Sequence, residues 1–333
     1  EKDAAALEQI QKNIYALTND VVGTPPDDVV LAPRGSVLKT SSGKIRRSAS
    51  RELYESGDIG KPARAVWWQM ARLTVASLVP TVHRFWRRVS ESIFAVYALA
   101  VATFLWLCSL VAITVTPRFE DRWKAVRWAA RAMLAATRTP MVVRGTENIP
   151  RDSHSVIVSN HASNLDRFVL CAALPVPVSF VAKAELKNNF VLRHYLTRLR
   201  TEFVDRFDKQ RGTADARRIV RHAREGCTLM FYPEGGMERR PGLRPFKMGA
   251  FAAAADANLP IVPLAIRGTR SILRPDSYLI RRTTVTIDVG EIIDPAEVRK
   301  TNPDADTWTV AVELRSLSRE YILRHCGEPD LGR

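Results

Sequence analysis

The chain has 333 residues, enough for two domains or for one large core with appended segments. Its 50 Lys and Arg against 35 Asp and Glu give a net charge of +15, which indicates an anionic partner: a nucleic acid, a membrane surface or a phosphorylated substrate. The four cysteines lie far apart, without the spacing of a metal site, and are typical of free thiols in a reducing compartment.

The N-terminal stretch begins with apolar residues at helical spacing, which predict a helix over 1–20. The apolar run at 29–31 predicts a short strand. The sequence Lys39-Thr40-Ser41-Ser42-Gly43-Lys44-Ile45-Arg46-Arg47 resembles the last motif of acyl-adenylate-forming synthetases. That resemblance implies a lysine, Lys44, that contacts an acyl adenylate. Residues 1–60 are therefore interpreted as a remnant of such a C-terminal subdomain. We expect it to be inactive alone, because the large nucleotide-binding portion is absent; a solvated basic loop is the alternative.

Three apolar segments follow a turn-rich linker at 56–62 and indicate membrane-associated helices over 61–138. Residues 63–79, with Trp67 and Trp68, suit an interfacial helix or a buried one. Residues 92–115 carry no charge and span ~36 Å, enough for a hydrocarbon core of about 30 Å, so we predict a membrane span in preference to a core helix. Basic residues flank both ends, and a hairpin with the preceding helix would bring both to the cytoplasm. A basic amphipathic helix over 118–137 would lie on the membrane surface.

The remainder of the chain alternates strands and helices. Strands are predicted at 141–144, 155–158, 178–181, 202–205, 228–232, 261–266 and 284–289, and helices at 165–174, 213–224, 247–258 and 305–324. This alternation predicts an α/β fold, with a largely parallel sheet flanked by helices.

The apolar run 156–158 leads through a polar turn into a helical pattern, with His161 in the turn and Asp166 in the first helical turn. On a continuous helix the two side chains would point about 140° apart, so they meet only if the turn folds His161 back. Asp166 would then fix the imidazole tautomer and leave the other nitrogen as a base. The alternative is a pair of helix-capping polar residues.

Two later stretches, Phe231-Tyr232-Pro233-Glu234-Gly235-Gly236 and Ile261-Val262-Pro263-Leu264, follow the His161 turn in an informative order. Together the three resemble the 1-acylglycerol-3-phosphate acyltransferase family over 141–290. The resemblance implies the glycerolipid acyltransferase fold for 139–333, with His161 and Asp166 catalytic. It also implies transfer of a fatty acyl group from acyl-CoA or acyl carrier protein to the hydroxyl of lysophosphatidate or a related lysophospholipid, without a further cofactor.

The resemblance also implies substrate-binding residues. Arg206 ends the second motif and would hold the acceptor's phosphate, the alternative being a surface ion pair with Asp205 or Asp208. Glu234 and Gly235 follow the family's third motif and would orient the acceptor, whereas Met237 stands where the family has arginine. Arg239 and Lys247 lie close in sequence and would supply the missing charge. Residues 262–266 would line the acyl or acceptor pocket, or form an ordinary buried strand.

Two other functions compete with this prediction: a non-catalytic binder of membranes or nucleic acid, and a part of a longer acyl-activating synthetase fusion. Nucleic-acid recognition predicts aromatic residues interleaved with basic ones on a soluble surface. Here the tryptophans flank an uncharged span instead. We therefore expect a lipid bilayer as partner, no nucleic acid, and an active site on the cytoplasmic side of the cytoplasmic membrane.

Overall fold

The computed structural model describes the chain except for Glu1, 34–35, 40–42, Asp58, 60–63, 206–217, Asp276, Tyr278 and Arg333; at 2–3 and 64–81 it describes the backbone alone. The chain forms two units, Glu1–Phe85 and Trp86–Arg333.

The first unit contains α1 (Lys2–Val22), α2 (Arg47–Glu55) and the beginning of α3 (Arg64–Val115). The helix predicted over 1–20 is confirmed, and Gly23 follows it at φ +81°. The strand predicted at 29–31 is wrong, because these residues join no ladder. An isolated antiparallel bridge between Lys39 and Ile45 frames the loop that carries Lys44.

A single helix, α3, replaces the two helices predicted between 63 and 115. It runs without interruption for 52 residues, so the predicted hairpin is wrong. Within it, Val82–Val115 is long and apolar enough to cross a membrane by length and composition, with a mean hydropathy of 2.3 and 17% burial over its most apolar window. Its large side chains Val96, Phe104 and Val111 are exposed, whereas Ala98 and Ile113 on the other side are buried.

The predicted amphipathic helix is α4 (Phe119–Ala136), but its apolar face, which was predicted to lie on a membrane surface, packs against protein. Trp123, Val126 and Leu134 are buried in the core of the second unit. Two arginines join the preceding turn to this core: Arg122 donates to the carbonyls of Thr116 and Pro117, and Arg198 to those of Ile113, Thr114 and Thr116. These bonds satisfy carbonyls that a helix end leaves without intrahelical donors.

The sheet of the second unit confirms the predicted α/β class. Its strands are β1 (Met141–Arg144), β2 (Val156–Ser159), β3 (Ser179–Lys183), β4 (Glu202–Val204), β5 (Leu229–Phe231), β6 (Ile261–Arg267) and β7 (Val285–Val289). They are ordered β1-β7-β6-β2-β5-β3-β4, and every pair is parallel except β6 with β7. Central strand β2 is buried at every position, as expected for a parallel strand covered on both faces.

Helices cover both faces of the sheet. They are α5 (Asp166–Ala173), α6 (Phe190–Arg198), α7 (218–224 in its described part), α8 (Gly249–Ala257), α9 (Thr269–Ile272), α10 (Pro295–Thr301) and α11 (Thr307–Cys326). The core on one face includes side chains of α4, α5 and α6, and the other includes α7, α8 and α11. The short helices α6, α9 and α10 were not predicted.

Candidate active site

The His161 turn lies at the carboxyl end of β2, next to the carboxyl end of β5. The two strands are parallel neighbours, so Asn160-His161 and Tyr232-Pro233-Glu234 emerge at one edge of the sheet, where open α/β sheets bind ligands. The side chain of Asn160 bonds the backbone of Ile266 in β6, accepting from its N at 2.8 Å and donating to its O at 2.9 Å. Asn160 therefore anchors the start of the turn to the neighbouring strand.

The turn folds back so that His161 Nδ1 lies 2.8 Å from Asp166 Oδ2. The same oxygen accepts the backbone N–H groups of Ala162 at 2.7 Å and Ser163 at 2.8 Å. Asp166 is fully buried, and its Oδ1 has no hydrogen-bond partner among the described residues. One carboxylate oxygen thus organises both the imidazole and the backbone of the turn.

The imidazole of His161 stacks on Tyr232, with ring centroids 4.1 Å apart and an interplanar angle of 17°. Its side chain is 12% exposed, and within the described part of the chain Nε2 has no hydrogen-bond partner. A carboxylate on Nδ1 and an open Nε2 are the requirements for a histidine base.

Glu234 supports the same turn from the end of β5. Its Oε1 accepts from His161 N at 2.7 Å, and its Oε2 accepts from Arg244 N at 3.0 Å. Burial raises the pKa of this carboxyl to about 7, although the two backbone N–H donors oppose the shift. Both oxygens are used within the protein and the residue is 4% exposed, so Glu234 holds the turn in place, and its contact with the acceptor stays a prediction.

Gly235 continues this turn at φ +76°, and a Cβ built there would lie 2.7 Å from Lys247 Cε and 2.9 Å from Nζ. A side chain at this position would be strained and would displace the lysine. Lys247 N also donates to Pro233 O at 2.9 Å. The structure therefore brings the exposed ammonium of Lys247 to the third-motif turn, beside the residues that support His161.

Comparisons with known proteins indicate the enzyme class. Residues 140–267 match the family model described as Acyltransferase. The chain is 28% identical to the "Probable 1-acyl-sn-glycerol-3-phosphate acyltransferase" of Mycoplasma pneumoniae, over 76% of this chain and 98% of that protein. The chain is an acyltransferase.

Other similar proteins match a smaller part of this chain. It is 25% identical to the 1-acyl-sn-glycerol-3-phosphate acyltransferase of Saccharomyces cerevisiae over 63% of this chain and 70% of that protein. It is 30% identical to the chloroplastic BAT2 of Brassica napus, spanning only 42% of that relative's length. The crystal structure of the 1-acyl-sn-glycerophosphate (LPA) acyltransferase PlsC from Thermotoga maritima superposes with a TM-score of 0.59 over 72% of this chain and 96% of that one. At 21% identity, that likeness shows a common fold.

Three further residues were predicted as site residues: Arg206, Arg239 and Lys44. Arg206 lies outside the described residues. Arg239 lines a separate polar cavity, and Lys44 belongs to the first unit. Lys183 was not predicted: it ends β3, in register with Val204 at the end of β4, and so supplies a cation at the same sheet edge. The sequence signal that could have identified Lys183 is a lysine at the end of an apolar run.

An apolar cavity of about 70 Å³ lies between α3 and α4, next to the residues that flank Asp166. Leu165 and Phe168 line it from the side of the His161 turn, and Trp106 and Ala130 from the two helices. Ser109 and Tyr195 also line it, and their hydroxyl oxygens are 3.0 Å apart. The predicted pocket lining at 262–266 is instead a buried strand whose side chains Val262, Leu264 and Ile266 are at most 1% exposed.

Proposed function

We propose that this acyltransferase moves a fatty acyl group from acyl-CoA or acyl carrier protein to the hydroxyl of lysophosphatidate or a related lysophospholipid. The names of its relatives support this acceptor. The single observation that carries the mechanism is the 2.8 Å contact between Asp166 Oδ2 and His161 Nδ1, which leaves Nε2 open.

His161 Nε2 removes the proton from the acceptor hydroxyl while the alkoxide oxygen attacks the thioester carbonyl. The tetrahedral intermediate then expels the thiolate, which takes the proton back from the imidazolium. The buried charge of Asp166 stabilises that imidazolium during the step. The two serines of the turn are engaged elsewhere, since Ser163 Oγ donates to Leu273 O at 2.7 Å and Ser159 Oγ to Asn160 O at 3.1 Å. The acyl group is therefore transferred directly, without an acyl-enzyme intermediate.

Cations at the sheet edge bind the acceptor's phosphate in this proposal. Lys183 ends β3, Arg206 follows β4 in the sequence, and Lys247 lies beside Gly235 of the third motif, where Met237 cannot bind phosphate. The apolar cavity beside Leu165 and Phe168 holds part of the acyl chain. Its apolar lining favours hydrocarbon over water.

The exposed apolar face of α3 is inserted into the cytoplasmic membrane in this proposal, and the active site faces the cytoplasm. Val96, Phe104 and Val111 are 70%, 65% and 63% exposed on this face. Burying such side chains in hydrocarbon contributes about 1.5–3 kcal/mol each. Membrane attachment also brings the enzyme to its lipid acceptor.

The test uses His161→Ala with a panel of lysolipids and acyl-CoAs, the products being identified by mass spectrometry. We expect turnover to fall about 10²- to 10⁴-fold, because the base is lost. His154→Ala is the matched control, since His154 is exposed and lies outside the turn. Equal turnover in His161→Ala and His154→Ala would contradict the proposed base.

A further inference from the structure

A polar cavity of about 280 Å³ lies between the segment that follows the third motif and the loop that follows α9. Three arginines line it: Arg239 from the first segment, and Arg274 and Arg281 from the second. Ser271 and Ser277 add hydroxyl groups, and none of the described lining residues is Asp or Glu. Three guanidinium groups therefore surround one cavity without a carboxylate in its described wall.

Neighbouring carboxylates are already used by other arginines. Glu328 pairs with Arg270 at 2.6 Å, and Glu238 pairs with Arg244 at 3.3 Å. The side chains of Arg239, Arg274 and Arg281 have no hydrogen bond or ion pair to any residue that the structure describes. Among the described residues these three guanidinium groups are therefore unpaired, while Asp276 of the same loop lies outside the described residues. Guanidinium groups are fork-shaped and bind phosphate oxygens in pairs.

The cavity is coupled to the catalytic turn through the α9 loop. Ser163 Oγ donates to Leu273 O at 2.7 Å, and Arg281 N donates to Ile272 O at 2.9 Å. In the sheet order, β6 precedes this loop on one side of β2, whereas Lys183 ends β3 on the opposite side. Two cationic regions therefore flank the His161 turn from opposite directions.

We propose that Arg239, Arg274 and Arg281 form a phosphate-binding site, separate from Lys183 at the end of β3, for a phosphate group carried by a substrate. The assignment to a substrate rests on the proposed function, in which acyl-CoA and lysophosphatidate both bear phosphate. Two phosphate-bearing substrates that meet at His161 need separate anion sites, which accounts for cations on both sides of the turn.

The binding test needs no turnover. The full chain is treated with phenylglyoxal, an arginine-specific reagent, with and without inorganic pyrophosphate, and modification is followed peptide by peptide. We expect pyrophosphate to slow modification of Arg274 and Arg281 about tenfold or more, as for a charge-assisted contact. Arg221, exposed on α7, is the control within the same digest and should be unaffected. Equal protection of Arg221, or no protection of Arg274 and Arg281, would overturn the site.

A kinetic test identifies the source of the phosphate. Arg274→Gln with Arg281→Gln should raise one substrate's KM about tenfold or more, whereas Arg221→Gln should change neither. A rise for acyl-CoA assigns the site to the donor, and a rise for the lysolipid assigns it to the acceptor. Unchanged KM for both would overturn the substrate assignment. Failure of the wild-type chain to acylate lysophosphatidate would instead refute the proposed function, while the protection result would still stand.

Discussion

Asp166→Asn separates the charge of Asp166 from its geometry. All three donors, His161 Nδ1 and the N–H groups of Ala162 and Ser163, converge on Oδ2, and Oδ1 has no partner among the described residues. An asparagine carbonyl in the Oδ2 position accepts the same three bonds, and its amide takes the Oδ1 position. The variant therefore keeps the turn and removes the negative charge.

The size of the effect follows from the bond to the imidazole. A hydrogen bond to a charged group contributes about 1.5–3 kcal/mol and a neutral one about 0.5–1.5, so the imidazolium loses roughly 1–2 kcal/mol of stabilisation. Since about 1.4 kcal/mol is tenfold, we expect turnover to fall about 5- to 30-fold. This is smaller than the loss expected for His161→Ala, where the base itself is absent.

The assay is the initial rate of thiol release from acyl-CoA with lysophosphatidate, for both single variants and the double variant. If Asp166 acts through His161, adding Asp166→Asn to His161→Ala should cost little more, because the two residues form one unit. KM for both substrates should stay near wild type. An equal loss from Asp166→Asn in both backgrounds would refute this reasoning.

Three further predictions concern stability and chain length. The pKa of Glu234 is raised to about 7 in the folded chain, so its folded form binds more protons and stability falls as pH rises from 4.5 to about 7. Glu234→Gln removes this dependence. In urea unfolding, the variant's free energy of unfolding relative to wild type should therefore rise by on the order of 3 kcal/mol between about pH 4 and about pH 8; a difference that does not change with pH would contradict the raised pKa. Glu328→Ala leaves the half-buried Arg270 unpaired and should lower the free energy of unfolding by about 3 kcal/mol, whereas Glu320→Ala, which removes an exposed partner of Arg324, should cost less than about 1 kcal/mol; equal losses would count against a special role for Glu328. Ala130→Leu narrows the apolar cavity and should lower kcat/KM for long acyl-CoAs, with about a fourfold loss for each methylene excluded; an unchanged chain-length profile would place the acyl chain elsewhere.

Local sequence patterns were sufficient to predict most strands of the sheet and the His161 turn. The apolar runs that became β1 to β7 were recognisable because a buried parallel strand is short, apolar and bounded by turn residues. The spacing of His161 and Asp166 required a folded-back turn, and their contact shows that turn. The strand at 29–31 was predicted wrongly, because apolar residues alone do not provide a pairing partner.

Tertiary packing decides which partner lies against the apolar face of a helix. The periodicity of 118–137 indicated an amphipathic helix correctly, yet α4 buries Trp123 and Leu134 in protein. The same information predicted two helices where α3 is continuous. A hydrophobic stripe shows that a face is removed from water, whereas its partner is decided by elements distant in sequence.

The sequence by itself determined the α/β class, and its resemblance to a known family indicated acyltransferase chemistry and predicted His161 as the base, because these signals lie in short runs of neighbouring residues. Only the tertiary structure decided how distant groups meet. It joined both oxygens of Glu234 to the backbone at His161 and Arg244, and it brought Arg239 together with Arg274 and Arg281 around one cavity. Such convergence depends on strand order and loop packing, which no local periodicity encodes.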